Sequence, residues 1–222
     1  LCCFGAADTE HYRDALAEEG LYPLSDKTFE IVRKEELYSG YFRADRWHVR
    51  YERHDGTWSD EHGIEVFDRG PATCVLPYDA ARDTVVLVEQ FRVAAIQTTA
   101  PPWLIEAIAG AMKPGEEPDE VARREAMEEA GLELGHLRKI MAFLPSCGAV
   151  TEELHVFIGE ADSSTADGYH GLADEHEDIK VHTMPFDEAL AMVEDGRIVA
   201  ANTVVPVLWL ALHKDEIRAA WG

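Results

Sequence analysis

Apolar positions in this chain follow two different periods, and the boundaries between them mark its elements. Short apolar, β-branched runs bounded by turn residues predict strands in PATCVLPYD (71–79), DTVVLVEQF (83–91) and WLIEAIAG (103–110). Further strands are expected near 137–144, 154–161 and 178–184. Helical spacing predicts helices over 118–130, 186–194 and 203–219. Residues 28–67 predict strands joined by the turn HDGT at 54–57, an Asp-Gly hairpin signal. Within them EIVRKEELYSGYFRADRWHVRYER reads equally as one amphipathic strand or as an ordinary hairpin. Residues 1–27 hold a short helix, DTEHYRDALAEE, that ends at Gly20 and has no readable role. No internal repeat is present. Strands, one embedded helix, more strands and closing helices predict an α+β fold, a mixed β-sheet sandwiched between helices.

The embedded helix carries the chemistry. Pro118 suits a first helical turn, and Gly131 suits the left-handed residue just past the end. Glu125, Glu128 and Glu129 then share a face about 100° wide at 3.6 residues per turn. Each pair at about 6 Å costs on the order of 3 kcal/mol at an effective dielectric of about 20, before screening. A structural helix gains nothing from that repulsion. A divalent cation reverses its sign, and hard oxygen donors suit Mg²⁺ or Mn²⁺, above all where phosphate oxygens complete the shell. The bland alternative is a solvated acidic face. Eight specified positions (Gly110, Glu116, Arg124, Glu125, Glu128, Glu129, Gly131 and Leu132) argue against it.

This pattern resembles the Nudix box, the signature of hydrolases that cleave nucleoside diphosphates linked to another group. One position departs from it: Ala126 stands where a bulkier aliphatic residue is usual. Ala122, Ala126 and Ala130 form a small-residue stripe that lets the helix approach a sheet closely, so Ala126 reads as a packing variant. The resemblance implies attack of water on a diphosphate phosphorus with metal assistance. It makes Glu125 and Glu129 the main metal ligands, with Glu116, Glu128 and the Ala109 carbonyl supporting, and makes Arg124 a residue that orients a glutamate.

Similarity extends to YSGYFR (38–43), EVFDRG (65–70), VLVEQFR (86–92) and GLADEHEDI (171–179), and through Trp209. These segments are similar to the bacterial ADP-ribose pyrophosphatase branch over about residues 28–221. That branch splits ADP-ribose into AMP and ribose 5-phosphate, and relatives act on GDP-mannose or ADP-glucose. A non-catalytic nucleotide-sugar sensor is the other class, disfavoured because all four box glutamates are present. By resemblance Glu175 is the general base and Glu177 a further metal ligand, the two roles being interchangeable on sequence. Tyr41 stacks on adenine, Arg92 clasps a phosphate, and Glu65 and Glu152 lie near the substrate. On spacing alone, Arg92 pairs equally well with Glu89. Two departures concern the substrate: Ile64 replaces a usual arginine before Glu65, and Cys147 replaces a usual proline, with Pro145 two residues earlier. The family plan divides the chain into an extension (1–27), a small antiparallel sheet that exchanges with a second subunit (28–67) and a Nudix catalytic domain (68–222). A homodimer is expected.

Charge and cysteine usage narrow the partners. The net charge of −23 excludes nucleic-acid backbones and anionic membranes, and requires a local positive site for an anionic nucleoside diphosphate sugar. LCCFGAA lacks the basic and apolar regions of a signal peptide. Cys2, Cys3, Cys74 and Cys147 have no metal-ligand spacing. A reducing cytoplasm is expected.

Overall fold

A computed structural model describes residues 27–173 and 176–222, and these divide into two units. The short helix expected within 1–27 and the candidate base Glu175 lie outside the described residues.

The first unit comprises residues up to Arg69 together with Ser146–Glu152. Its strands β1 (Phe29–Ser39), β2 (Arg43–Tyr51) and β3 (His62–Asp68) form an antiparallel sheet in the order β1-β2-β3. EIVRKEELYSGYFRADRWHVRYER is therefore a hairpin that reverses at Gly40–Phe42, where Gly40 N–H donates to the Phe42 carbonyl at 3.0 Å. The Asp-Gly turn lies in the longer β2–β3 connection: Asp55 accepts from Thr57 N–H at 2.9 Å, and the Tyr51 carbonyl accepts from Ser59 N–H. Segment 146–152 joins by backbone bonds on either side of Phe67, to Ala149 O and from Thr151 N.

The second unit, Gly70–Pro145 and Glu153–Gly222, contains a mixed sheet. Its strands are β4 (Ala72–Asp79), β5 (Thr84–Phe91), β6 (Trp103–Glu106), β7 (Ile108–Ala111), β8 (Leu137–Phe143), β9 (Leu154–Glu160), β10 (Tyr169–His170) and β11 (Ile179–Pro185). The order is β10-β11-β5-β4-β9-β8; β4 and β9 run parallel, while β6 pairs with β5 and β7 with β4. WLIEAIAG, expected as one strand, is thus two. The run changes partner at Ala107, whose N–H leaves the ladder and donates to Thr203 Oγ1 at 2.7 Å.

Alternation along β4 and β5 separates two apolar layers. Leu76, Tyr78, Val85 and Leu87 pack against helices α2 (Phe186–Glu194) and α3 (Ala201–Trp221). Val75, Val86 and Val88 pack on the other face against Ala122, Ala126 and Ala130 of helix α1 (Pro118–Ala130). The sheet is sandwiched between helices as expected. Ala126 is wholly buried, so a larger side chain would hold α1 away from the strands. Helix α1 ends where Gly131 turns left-handed at φ 62° and donates to the Met127 and Ala126 carbonyls. Among the described residues no helix is long and apolar enough to cross a membrane.

Candidate active site

The three carboxylates of the α1 face sit on a helix pressed against β4 and β7. Glu129 is almost wholly buried, and its Oε2 accepts from Ala109 N–H at 3.3 Å. Burial, together with the charges of Glu125 and Glu177, pushes its carboxyl up to about 8, against the opposing hydrogen bond from Ala109 and the charge of Arg92. Glu125 is also raised, first by burial, while Arg124 opposes and Glu128 and Glu177 add to the rise. A segment whose only purpose was solvation would not bury an acid that resists ionisation.

Arg124 binds the rest of the cluster. Its Nη1 donates to Glu125 Oε1 at 2.7 Å and to Glu128 Oε2 at 3.0 Å, and Nη2 lies 3.6 Å from Glu116 Oε2. Glu116 also accepts from Lys113 N–H at 2.7 Å, which fixes the loop before the helix. In this arrangement no three of the described acids converge into a cage around an ion; the guanidinium stands among them instead. The donor set is nevertheless all oxygen, and two of its members carry raised affinities for a proton, so a hard divalent cation fits these residues.

Gly110 makes the arrangement possible. A Cβ there would lie 1.7 Å from Glu125 Oε1, so the carboxylate occupies the space of an absent side chain on β7. Beyond the helix, Glu177 follows the turn after Gly171, where Gly171 N–H donates to the Glu128 carbonyl at 3.3 Å and Glu177 Oε2 accepts from Leu172 N–H at 3.2 Å. Glu177 therefore approaches the α1 cluster, as its charge effect on Glu125 and Glu129 requires.

Arg92 stands just past the end of β5, but its partner is not Glu89. Glu89 accepts instead from His182 Nε2 at 2.7 Å, and Arg92 Nε donates to buried Glu106 at 2.5 Å. With Nε so held, the terminal guanidinium nitrogens of Arg92 make no hydrogen bond among the described residues. Sequence reading passed over Glu106; the signal was a glutamate inside the apolar run WLIEAIAG. The remaining residues expected at the site belong to the first unit. Tyr41 is 90% exposed and meets Phe42 edge-on, with centroids 4.7 Å apart. Glu65 pairs across the strands with Arg46 at 2.8 Å, and buried Glu152 lies 3.3 Å from Arg69 Nη1. Cys147 is exposed in the same unit.

The chain resembles known proteins over most of its length. The NUDIX domain family matches residues 68–204. An ADP-ribose pyrophosphatase of Escherichia coli (strain K12) is 44% identical over 193 residues, spanning 87% of this chain and 92% of that protein. A GDP-mannose pyrophosphatase of Escherichia coli O1:K1 / APEC is 38% identical over 184 residues, 82% of this chain and 94% of that protein. The crystal structure of an ADP compounds hydrolase superposes with a TM-score of 0.66 at 19% identity, covering 88% of this chain and 98% of the other, which shows a shared fold.

Proposed function

The chain belongs to the Nudix family, and on that premise we propose that it hydrolyses the diphosphate bond of ADP-ribose to AMP and ribose 5-phosphate. One observation carries the reading: near-full-length identity of 44% to an ADP-ribose pyrophosphatase, in a chain that keeps all four box glutamates on or beside α1. The same identity, with those glutamates, makes the chain a pyrophosphohydrolase rather than a sensor.

Glu125 and Glu129 are the principal holders of a divalent cation, with Glu116, Glu128, Glu177 and the Ala109 carbonyl in support; Mg²⁺ is the expected ion and Mn²⁺ its substitute. When bound, such an ion neutralises phosphoryl oxygens and lowers the pKa of a coordinated water. The protein's own residues do the rest. Glu175 or Glu177 takes the proton of the attacking water, and Arg124 orients Glu125 and Glu128 until they turn toward their ligand. Arg92, anchored through Nε by Glu106, offers its two terminal nitrogens as a fork to a phosphate. Tyr41 stacks on adenine, while Glu65 and Glu152 contact the nucleotide. Residues 28–67 form a dimerisation element, 68–222 the catalytic domain, and the protein is a cytoplasmic homodimer.

The GDP-mannose pyrophosphatase relative supports a second reading, in which the same chemistry acts on another nucleoside diphosphate sugar. Ile64, which stands before Glu65 where an arginine is usual, favours altered substrate contacts. Product analysis with ADP-ribose, GDP-mannose and ADP-glucose at equal concentrations separates the two. AMP formed chiefly from ADP-ribose supports the first reading, and preferential turnover of either other substrate replaces it.

A further inference from the structure

Thr73 and His155 each bury a polar atom that has no partner. Thr73 is fully buried on β4 and its Oγ1 makes no hydrogen bond; His155 on β9 hides Nδ1 in the same condition. Buried polar groups are almost always paired, so two orphans require a cause.

The sheet register sets them side by side. Thr73 faces Gly110 of β7 in the antiparallel direction and His155 of β9 in the parallel one. Cross-strand partners project to the same face. Val75 and Phe157, two residues on from Thr73 and His155, pack in the layer with α1, so the row Gly110, Thr73, His155 lies on the α1 face. Glu125 fills the place of the missing Gly110 side chain. Opposed Cβ positions are about 4.5–5.5 Å apart, which brings the Glu125 carboxylate within reach of a rotated Thr73 hydroxyl. At present Oε1 of that carboxylate is held by Arg124 at 2.7 Å.

We infer that Thr73 and His155 are positioning residues for Glu125: His155 Nδ1–H donates to Thr73 Oγ1, and the Thr73 hydroxyl donates to Glu125 once its carboxylate turns from Arg124 to a divalent cation. The inference rests on the reading of Glu125 as a metal ligand. One hydroxyl has one proton to give and lone pairs to receive, so this chain satisfies both orphans without moving a proton. Burial, reinforced by the nearby charge of Lys139 and opposed by Glu153, holds the His155 pKa below its ordinary value, which favours the neutral ring with its one N–H to donate. Ligating carboxylates are commonly steadied from behind by such bonds, and losing them costs 10–100-fold in metal affinity.

The test is Mn²⁺ affinity by electron paramagnetic resonance titration of the whole protein without substrate. Thr73→Val should weaken binding about tenfold and Thr73→Ser less than about twofold. Adding His155→Phe to Thr73→Val should weaken it no further, because the relay is already cut. Metal-free Thr73→Val should melt at or above the native temperature, since it removes an unpaired buried hydroxyl. Native affinity in Thr73→Val while Glu125→Gln has lost binding would overturn the relay and leave the metal reading intact. Native affinity in Glu125→Gln would overturn the metal reading and the relay with it. Destabilised metal-free Thr73→Val would assign the threonine a structural role and also overturn the relay.

Discussion

Glu129 shows what a buried carboxyl costs a fold. Its carboxyl is raised from an ordinary 4.5 to about 8, so the folded state keeps a proton that the unfolded chain has released at neutral pH. The sign follows from linkage: the associated stability is full below about pH 4.5, declines as pH rises, and is lost as pH passes about 8. Metal-free protein should therefore melt lower at pH 8 than at pH 5. Glu129→Gln should recover on the order of 1–3 kcal/mol at pH 8 while reducing hydrolysis at least about 100-fold. Thermal melts in chelator, paired with product assays, check both; a variant that is less stable and fully active would refute the assignment. Gly110→Ala tests the neighbouring space. Because the added methyl would overlap the largely buried Glu125 side chain from its carboxylate back to Cγ, stability should fall by about 1–3 kcal/mol and activity should fall sharply as that carboxylate is displaced. Spacing put Glu125, Glu128 and Glu129 on one helix face, and resemblance to the Nudix box singled out Glu116 and Gly110 beside them. Glu106 was not, because a lone acid in an apolar strand acquires meaning only when the fold brings Arg92 to it. Nor were Thr73 and His155, whose relation exists only in the register of three strands.

Helix α1 was readable from end to end, since Pro118, the alanine stripe and Gly131 are local signals and none depends on distant contacts. The Trp103–Ala111 segment was not, because its change of partner at Ala107 answers to Thr203, nearly a hundred residues away. The 3₁₀ turns Val93–Gln97 and Ser163–Thr165 also escaped, being too short to set a period. Close packing of α1 predicts that Ala126→Leu overfills the layer and costs about 1–3 kcal/mol, measurable by urea denaturation. The β4–β5 turn makes a separate pH prediction. Asp79 is buried, which by itself would raise its pKa, but hydrogen bonds from Arg82 and from Ser163 outweigh this and lower it to about 2. A depressed carboxylate stabilises above its unfolded value of 3.8 and stops doing so as pH falls through about 2. Asp79→Asn should cost about 2–3 kcal/mol at pH 7 and show a shallower loss of stability on acidification across that window. An unchanged acid profile would contradict the account of the turn.

At the scale of the whole molecule, charge and chemistry pull in opposite directions. A chain of net charge −23 must attract an anionic nucleotide sugar, and on the proposed reading a divalent cation and Arg92 would supply the attraction. If the guanidinium binds phosphate in the ground state as well as in the transition state, Arg92→Ala should raise KM more than it lowers kcat. The fold class was readable because the order of elements, strands around one helix and then two helices, permits few arrangements. The division into units was less so: Ser146–Glu152 joins the N-terminal sheet by backbone bonds to Phe67 that no local pattern announces. If residues 28–67 hold two subunits together, light scattering on the purified protein should give twice the chain mass of 24.8 kDa. The most direct test of the central claim is a product assay with ADP-ribose, in Mg²⁺ and again in excess chelator. Release of AMP and ribose 5-phosphate that requires the metal and disappears in Glu125→Gln is the predicted result. Equal turnover in chelator, or tight binding of ADP-ribose with no turnover in Mg²⁺, would contradict it.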